Sequence, residues 1–161
     1  MSGNLNMVRI KIINGPNINL LGVREPHIYG RTTLGQIQED CESTARELKV
    51  SLTFLQSNHE GQIVDWIQAA RDDADAIILN PAAYSFYSVA IFDALKAFEG
   101  PIIELHLSNI HARDELHRHS IMSRAATAVI CGMGPLGYPL AMQAATRLVG
   151  GHKNAGVTNA A

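Results

Sequence analysis

Arg24 and Tyr29 stand five residues apart in one glycine- and proline-punctuated stretch, residues 14–30, and a cation near a phenol is a way to make a base. A free phenol, with a pKa near 10, is only about 0.1% ionised at neutral pH. A neighbouring guanidinium favours the phenolate by roughly one to three pH units, multiplying the reactive population about tenfold to a thousandfold. The second reactive set lies in Glu104-Leu105-His106-Leu107-Ser108, where strand alternation puts Glu104 and His106 on one face. A carboxylate there can hold the imidazole as a cation ready to donate a proton. Both sets also admit a plainer reading: a loop tyrosine beside a surface arginine, and a hydrogen-bonded core histidine.

Both sets need elements to hold them. Residues 8–13 read as a buried or half-buried strand, so the polar loop that follows sits at its carboxyl end. Thr33 with Gln36 forms a capping-box pattern, and Ile37, Cys41, Ala45 and Leu48 recur at helical spacing. Residues 50–56 are β-prone. Ser57 with Glu60 repeats the capping pattern ahead of Ile63, Trp66, Ile67 and Ala70. Residues 76–79 read as a buried strand ended by Asn80-Pro81, and residues 88–98 as a helix. Residues 101–107 give a fourth strand, 126–131 a fifth, and 139–149 a last helix, with a basic polar segment over 108–124. This alternation predicts an α/β fold: a flavodoxin-like, doubly wound five-stranded parallel sheet of order 2-1-3-4-5. The loops after strands one, three and four then meet at one crevice, where ligands bind in open α/β sheets.

The 161 residues, 47% hydrophobic, suffice for one core, so one domain is expected over 1–149, with a disordered tail over 150–161. A net charge of -2 gives no electrostatic case for nucleic acid or an anionic membrane surface. No basic-then-apolar leader opens the chain, Met7 is a possible alternative start, and no apolar run approaches a membrane span, so a cytoplasmic protein is expected. Cys41 and Cys131, far apart and without a CxxC, read as small hydrophobes. The scattered histidines offer no convincing ligand set, so no metal is expected. Gly132-Met133-Gly134-Pro135-Leu136-Gly137 matches a dinucleotide fingerprint, but no Asp or Glu follows Glu115 to take a ribose. It reads instead as a tight turn that admits close helix packing.

Across nearly all of its length the chain resembles the type II 3-dehydroquinate dehydratases. The resemblance is carried by Asn14-Gly15-Pro16-Asn17 through Arg24-Glu25-Pro26 and Tyr29-Gly30, by Ser57-Asn58 with Glu60-Gly61, by Asn80, and by Glu104 to Asn109 with His111-Ala112-Arg113. It implies a flavodoxin-like fold, assembly into a homo-oligomer, a dodecamer of trimers, and anti elimination of water from 3-dehydroquinate through an enolate without cofactor. Tyr29 would take the proton alpha to the ketone, Arg24 would depress its pKa, and His106 would protonate the departing hydroxyl. Asn17 would hold the water facing the enolate oxygen, and Glu104 would orient His106. Asn80 and the backbone N–H groups of Leu107 and Ser108 would bind the cyclic carboxylate. Asp93 would enter a neighbouring subunit's site, and the flap over 22–30 would close on substrate.

The chain departs from the family at the pocket. Phe86 stands where the resemblance implies a substrate-binding histidine, and His117 where it implies an arginine. Phe92 replaces another frequent arginine, and Pro81-Ala82 follows Asn80 where Ala-Gly is usual. Lost polar contacts are worth about 1.5–3 kcal/mol each, so two would cost roughly a hundredfold to ten-thousandfold in transition-state binding. Three readings are therefore open: a working 3-dehydroquinate dehydratase, a family hydro-lyase for a less hydroxylated β-hydroxy-ketone carboxylate, or a non-catalytic binding or scaffolding homologue.

Overall fold

The computed structural model describes residues 7–157, except the side chains of Pro26, Tyr29 and residues 152–157. Five strands, β1 (Arg9–Asn14), β2 (Ser51–Gln56), β3 (Ala76–Asn80), β4 (Ile102–His106) and β5 (Ala128–Cys131), form one sheet in the order β2-β1-β3-β4-β5. All four pairings are parallel, and Asn14 lies in register with Gln56 on one side and Asn80 on the other. The expected fold class and strand order are those observed.

Helices cover both faces, as a parallel sheet requires. Here α1 is the short Pro26–Tyr29 turn, and α2 (Leu34–Leu48) and α5 (Gly137–Val157) pack on one face. On the other lie α3 (Glu60–Asp73) and α4 (Val89–Lys96). The strand alternation divides the core accordingly. Ile10, Ile12, Ile103 and Leu105 meet Ile37, Cys41, Tyr138 and Met142 on the first face. Ile13, Ile77, Leu79 and Ile102 meet Ile63, Ile67, Ile91 and Leu95 on the second. Cys41 is a buried filler there, and its burial pushes the thiol pKa up to about 12. Lys11, inside β1 yet 3% exposed, runs its stem through the second face and reaches Asp73 with Nζ at 2.5 Å.

Local signals behave unequally. The Thr33 box forms in full: the Gln36 N–H donates to Thr33 Oγ1 at 3.2 Å, and the Thr33 N–H donates to Gln36 Oε1 at 2.9 Å. The Ser57 box does not. His59 is the N-cap of α3, so Glu60 opens the helix instead of standing at its third position. Ser57 Oγ accepts from the His59 N–H, while the Glu60 carboxylate accepts the hydroxyl of Ser88, itself the N-cap of α4. These bonds tie the starts of α3 and α4 together.

The glycine turn has the packing role expected of it. Gly132 and Gly134 adopt φ of 84° and 57°, and a Cβ on Gly137 would stand 2.7 Å from Leu105 Cδ1. At the C-terminus the helix continues beyond Val149 to Val157, because each added helical residue contributes a further hydrogen bond. The irregular tail expected from 150 is thus helical over 150–157, and residues 158–161 lie outside the described residues. No helix among the described residues is long and apolar enough to cross a membrane.

Candidate active site

At the carboxyl ends of β1, β3 and β4 the loops enclose a cleft of about 700 Å3, its open mouth included. Asn17 and Arg24 line it from the first loop, Asn80 and Phe86 from the third, and His106, Leu107, Ser108 and His117 from the fourth. Eight of the residues singled out in the sequence therefore converge. Glu104 stands directly behind His106. Asp93 is exposed on α4 and is not among the lining residues of this cleft. The flap reaches Tyr29 at the end of α1, and the tyrosine side chain is outside the described residues.

His106 and Glu104 are 5% and 1% exposed, on the same face of β4. The imidazole Nε2 meets Glu104 Oε1 at 2.6 Å, which leaves Nδ1 as the ring nitrogen for a ligand. The other carboxylate oxygen accepts the Ser123 hydroxyl at 2.5 Å. Burial pushes the Glu104 carboxyl pKa up, but the hydrogen bonds from His106, Ser120 and Ser123 outweigh it and hold the group below its usual value. The strand end is itself anchored: the N–H of Gly132 donates to the His106 carbonyl at 3.2 Å, and that of Gly134 to the Leu107 carbonyl at 2.9 Å.

A second buried chain sets Asn80. Its Nδ2 donates to the Tyr138 hydroxyl at 3.0 Å, and Tyr138 in turn donates to Asn14 Oδ1 at 2.6 Å. The Asn14 amide donates to the Leu55 carbonyl at 3.0 Å. Burial raises the pKa of the fully enclosed Tyr138 phenol, so it stays neutral and serves as donor and acceptor at once. The amide oxygen of Asn80 is then the atom this residue can offer a ligand.

The first loop is braced from its neighbours. Gly15 passes so close to Pro81 that a Cβ would lie 2.4 Å from the Pro81 carbonyl oxygen. Asn17 adopts φ of 66°, which asparagine tolerates, and its N–H donates to Asn58 Oδ1 at 3.0 Å. Tyr84 secures the Asn58 carbonyl at 2.7 Å. Arg24 is about half exposed and pairs with Glu25 at 3.2 Å.

At the third wall Phe86 and His117 touch, their rings edge to face with centroids 5.3 Å apart. His117 Nδ1 lies 2.8 Å from both oxygens of Asp114, and that bond draws the Asp114 carboxyl pKa below its usual value. Arg113 also lines the cleft. With Arg24, Arg113 and two imidazoles, and no carboxylate among the lining residues, the site suits a small anion. No three His, Cys, Asp or Glu side chains converge as a metal ligand set among the described residues.

Sequence reasoning did not single out Ser120, Ser123 or Tyr138. The serines lie in the aperiodic segment after β4, and Tyr138 stands just before the helix expected over 139–149; only the arrival of each beside a strand end reveals its role.

Known proteins resemble this chain in sequence and in fold. The model of the family described as dehydroquinase class II matches residues 8–146. The chain is 50% identical over 135 residues to a 3-dehydroquinate dehydratase 1 of Agrobacterium fabrum, spanning 84% of this chain and 93% of that protein. It is 55% identical over 134 residues to a catabolic 3-dehydroquinase of Emericella nidulans, spanning 83% and 88%. The crystal structure of type II dehydroquinase from Propionibacterium acnes superposes with a TM-score of 0.84 at 41% identity, over 86% of this chain and 96% of that one. The family match over most of the chain, the identity to these relatives and the shared fold agree, and the chain belongs to the class II dehydroquinase family.

Proposed function

We propose that this protein is a hydro-lyase that converts 3-dehydroquinate to 3-dehydroshikimate by anti elimination of water. The Glu104–His106 pair, closed at 2.6 Å and opening onto an anion-suited cleft, is the observation that carries the reading. The Tyr29 phenolate, favoured by the Arg24 guanidinium, removes the proton alpha to the ketone. The electron pair moves onto the ketone oxygen, where a water held by Asn17 stabilises the enolate. As the enolate collapses, the β-hydroxyl leaves as water with a proton from His106, whose ring Glu104 orients. Asn80 and the backbone N–H groups of Leu107 and Ser108 hold the substrate, with Phe86 and His117 forming the wall beyond. No organic cofactor enters this scheme. The active form is a homo-oligomer, a dodecamer built from trimers, in which Asp93 enters a neighbour's cleft; its exposure on α4, away from the cleft of its own subunit, supports that assignment. The protein acts in the cytoplasm.

A less hydroxylated β-hydroxy-ketone carboxylate is the second reading, favoured by the Phe86–His117 contact at the cleft wall. The assay is the rise of conjugated-enone absorbance on adding 3-dehydroquinate. Formation of that product supports the main reading. Turnover confined to analogues lacking the distal hydroxyls supports the second, and binding without turnover of any candidate rejects catalysis.

A further inference from the structure

Ser123 and Ser120 reach Glu104 from outside the strand that carries it. Ser123 Oγ donates to Oε2 at 2.5 Å, on the side of the carboxylate opposite the His106 bond to Oε1. Ser120 Oγ accepts the Met122 N–H at 3.2 Å and has one proton to place. Its alternatives are the Ser85 carbonyl at 3.4 Å and the Glu104 carboxylate, with which it also interacts. A bond to a buried charge is shorter and about twice as strong as one between neutral groups, so the carboxylate wins. Little else can hold Glu104. Its register neighbours are Leu79 on β3 and Val129 on β5, both apolar. The helical layer on the Ile102 face of β4 contributes Ile63, Ile67, Ile91 and Leu95. Among the described residues His106 is the charged group acting on it.

We propose that Ser123, assisted by Ser120, is a positioning residue for the acid step, fixing the Glu104 carboxylate so that His106 keeps one ring orientation toward the cleft. A carboxylate bonded through one oxygen alone can rotate about its terminal torsion and take the imidazole with it. With both oxygens engaged, that rotation would break a bond to a buried charge. The same two hydroxyls help keep the carboxyl ionised where burial alone would favour its neutral form. The inference rests on the proposed role of His106, but the anchoring of Glu104 is measurable without substrate.

Ser123 is largely exposed, so Ser123→Ala leaves no cavity, and Ser123→Thr has room for its extra methyl group. The Glu104 carboxyl is followed by carbon NMR through a pH titration of the full-length protein, alongside steady-state kinetics with 3-dehydroquinate. In Ser123→Ala the carboxyl titration midpoint rises by about one pH unit, the size expected for losing one bond to the charged form. Turnover falls about tenfold with KM within about twofold, and Ser123→Thr restores both. An unchanged titration with unchanged kcat in Ser123→Ala, or a loss that Ser123→Thr fails to restore, overturns the inference. A wild type inert toward 3-dehydroquinate that still shows the titration difference overturns the assigned reaction and leaves the serine anchoring supported.

Discussion

Phe86 presents its ring to His117 at 87° with centroids 5.3 Å apart, so two of the positions where the family resemblance implies other residues form one unit. The imidazole is committed on its other side to Asp114 at 2.8 Å. A phenyl ring offers no hydrogen bond, and with Nδ1 engaged His117 has Nε2 alone to offer, so these two positions present a single ring nitrogen to a substrate hydroxyl. Replacing both together, Phe86→His with His117→Arg, should raise kcat/KM for 3-dehydroquinate by at least about tenfold, with two recovered polar contacts setting a ceiling of roughly ten-thousandfold. Equal kinetics in a folded double variant would show that the wall does not limit the substrate.

Base and acid should separate from folding. Tyr29→Phe removes an ionisable oxygen, and turnover should drop by about a hundredfold or more while the thermal midpoint stays near that of the wild type. His106→Ala should lose turnover to a similar extent. It also leaves the buried Glu104 carboxylate without its bond to the imidazole, so a stability loss of about 1–3 kcal/mol is expected alongside. Near-normal kinetics in either variant would remove that residue from the scheme.

The Glu104 carboxyl makes stability depend on pH in a definite direction. Burial raises its pKa, the bonds from His106, Ser120 and Ser123 together lower it by more, and the net position is below the ordinary value of 4.5. A carboxyl depressed in the folded state contributes stability above its unfolded pKa, and that contribution is lost as pH falls through the folded value. Unfolding free energies from urea titrations should therefore fall less steeply between about pH 5 and pH 3 in Glu104→Gln than in the wild type. Parallel curves would contradict the net direction.

Ala82 holds φ of 50° in the turn after β3, a conformation in which its Cβ is strained. Glycine reaches the same conformation freely, at the cost of a more mobile unfolded chain. The strain outweighs the entropy, and Ala82→Gly should stabilise the fold by about 0.5–1 kcal/mol in chemical denaturation. A loss of stability would mean that Ala82 packs against the cleft strongly enough to repay its backbone.

Sequence alone determined the sheet and the cleft, because both follow from local periodicity. The strands are apolar runs, the Thr33 box is a three-residue signal, and the glycine turn at 132–137 needs no distant partner to be read as a turn. The alternation that sets Glu104 and His106 on one face is likewise a property of the strand. The Ser57–Glu60 pattern failed for the converse reason: the Glu60 carboxylate found Ser88, 28 positions away, and the helix began two residues later than the local pattern required.

Tertiary structure decided how the reactive groups are held. Tyr138 bridges two asparagines that lie 58 and 124 positions from it in the chain. Ser123 reaches Glu104 from the aperiodic segment after β4, and Phe86 meets His117 across two separate loops. These contacts depend on the path of irregular backbone through space, which carries no repeating pattern. The chain's periodicity names the strand ends where chemistry can occur, and only the folded loops determine which hydroxyl, ring or carboxylate comes to stand beside each of them.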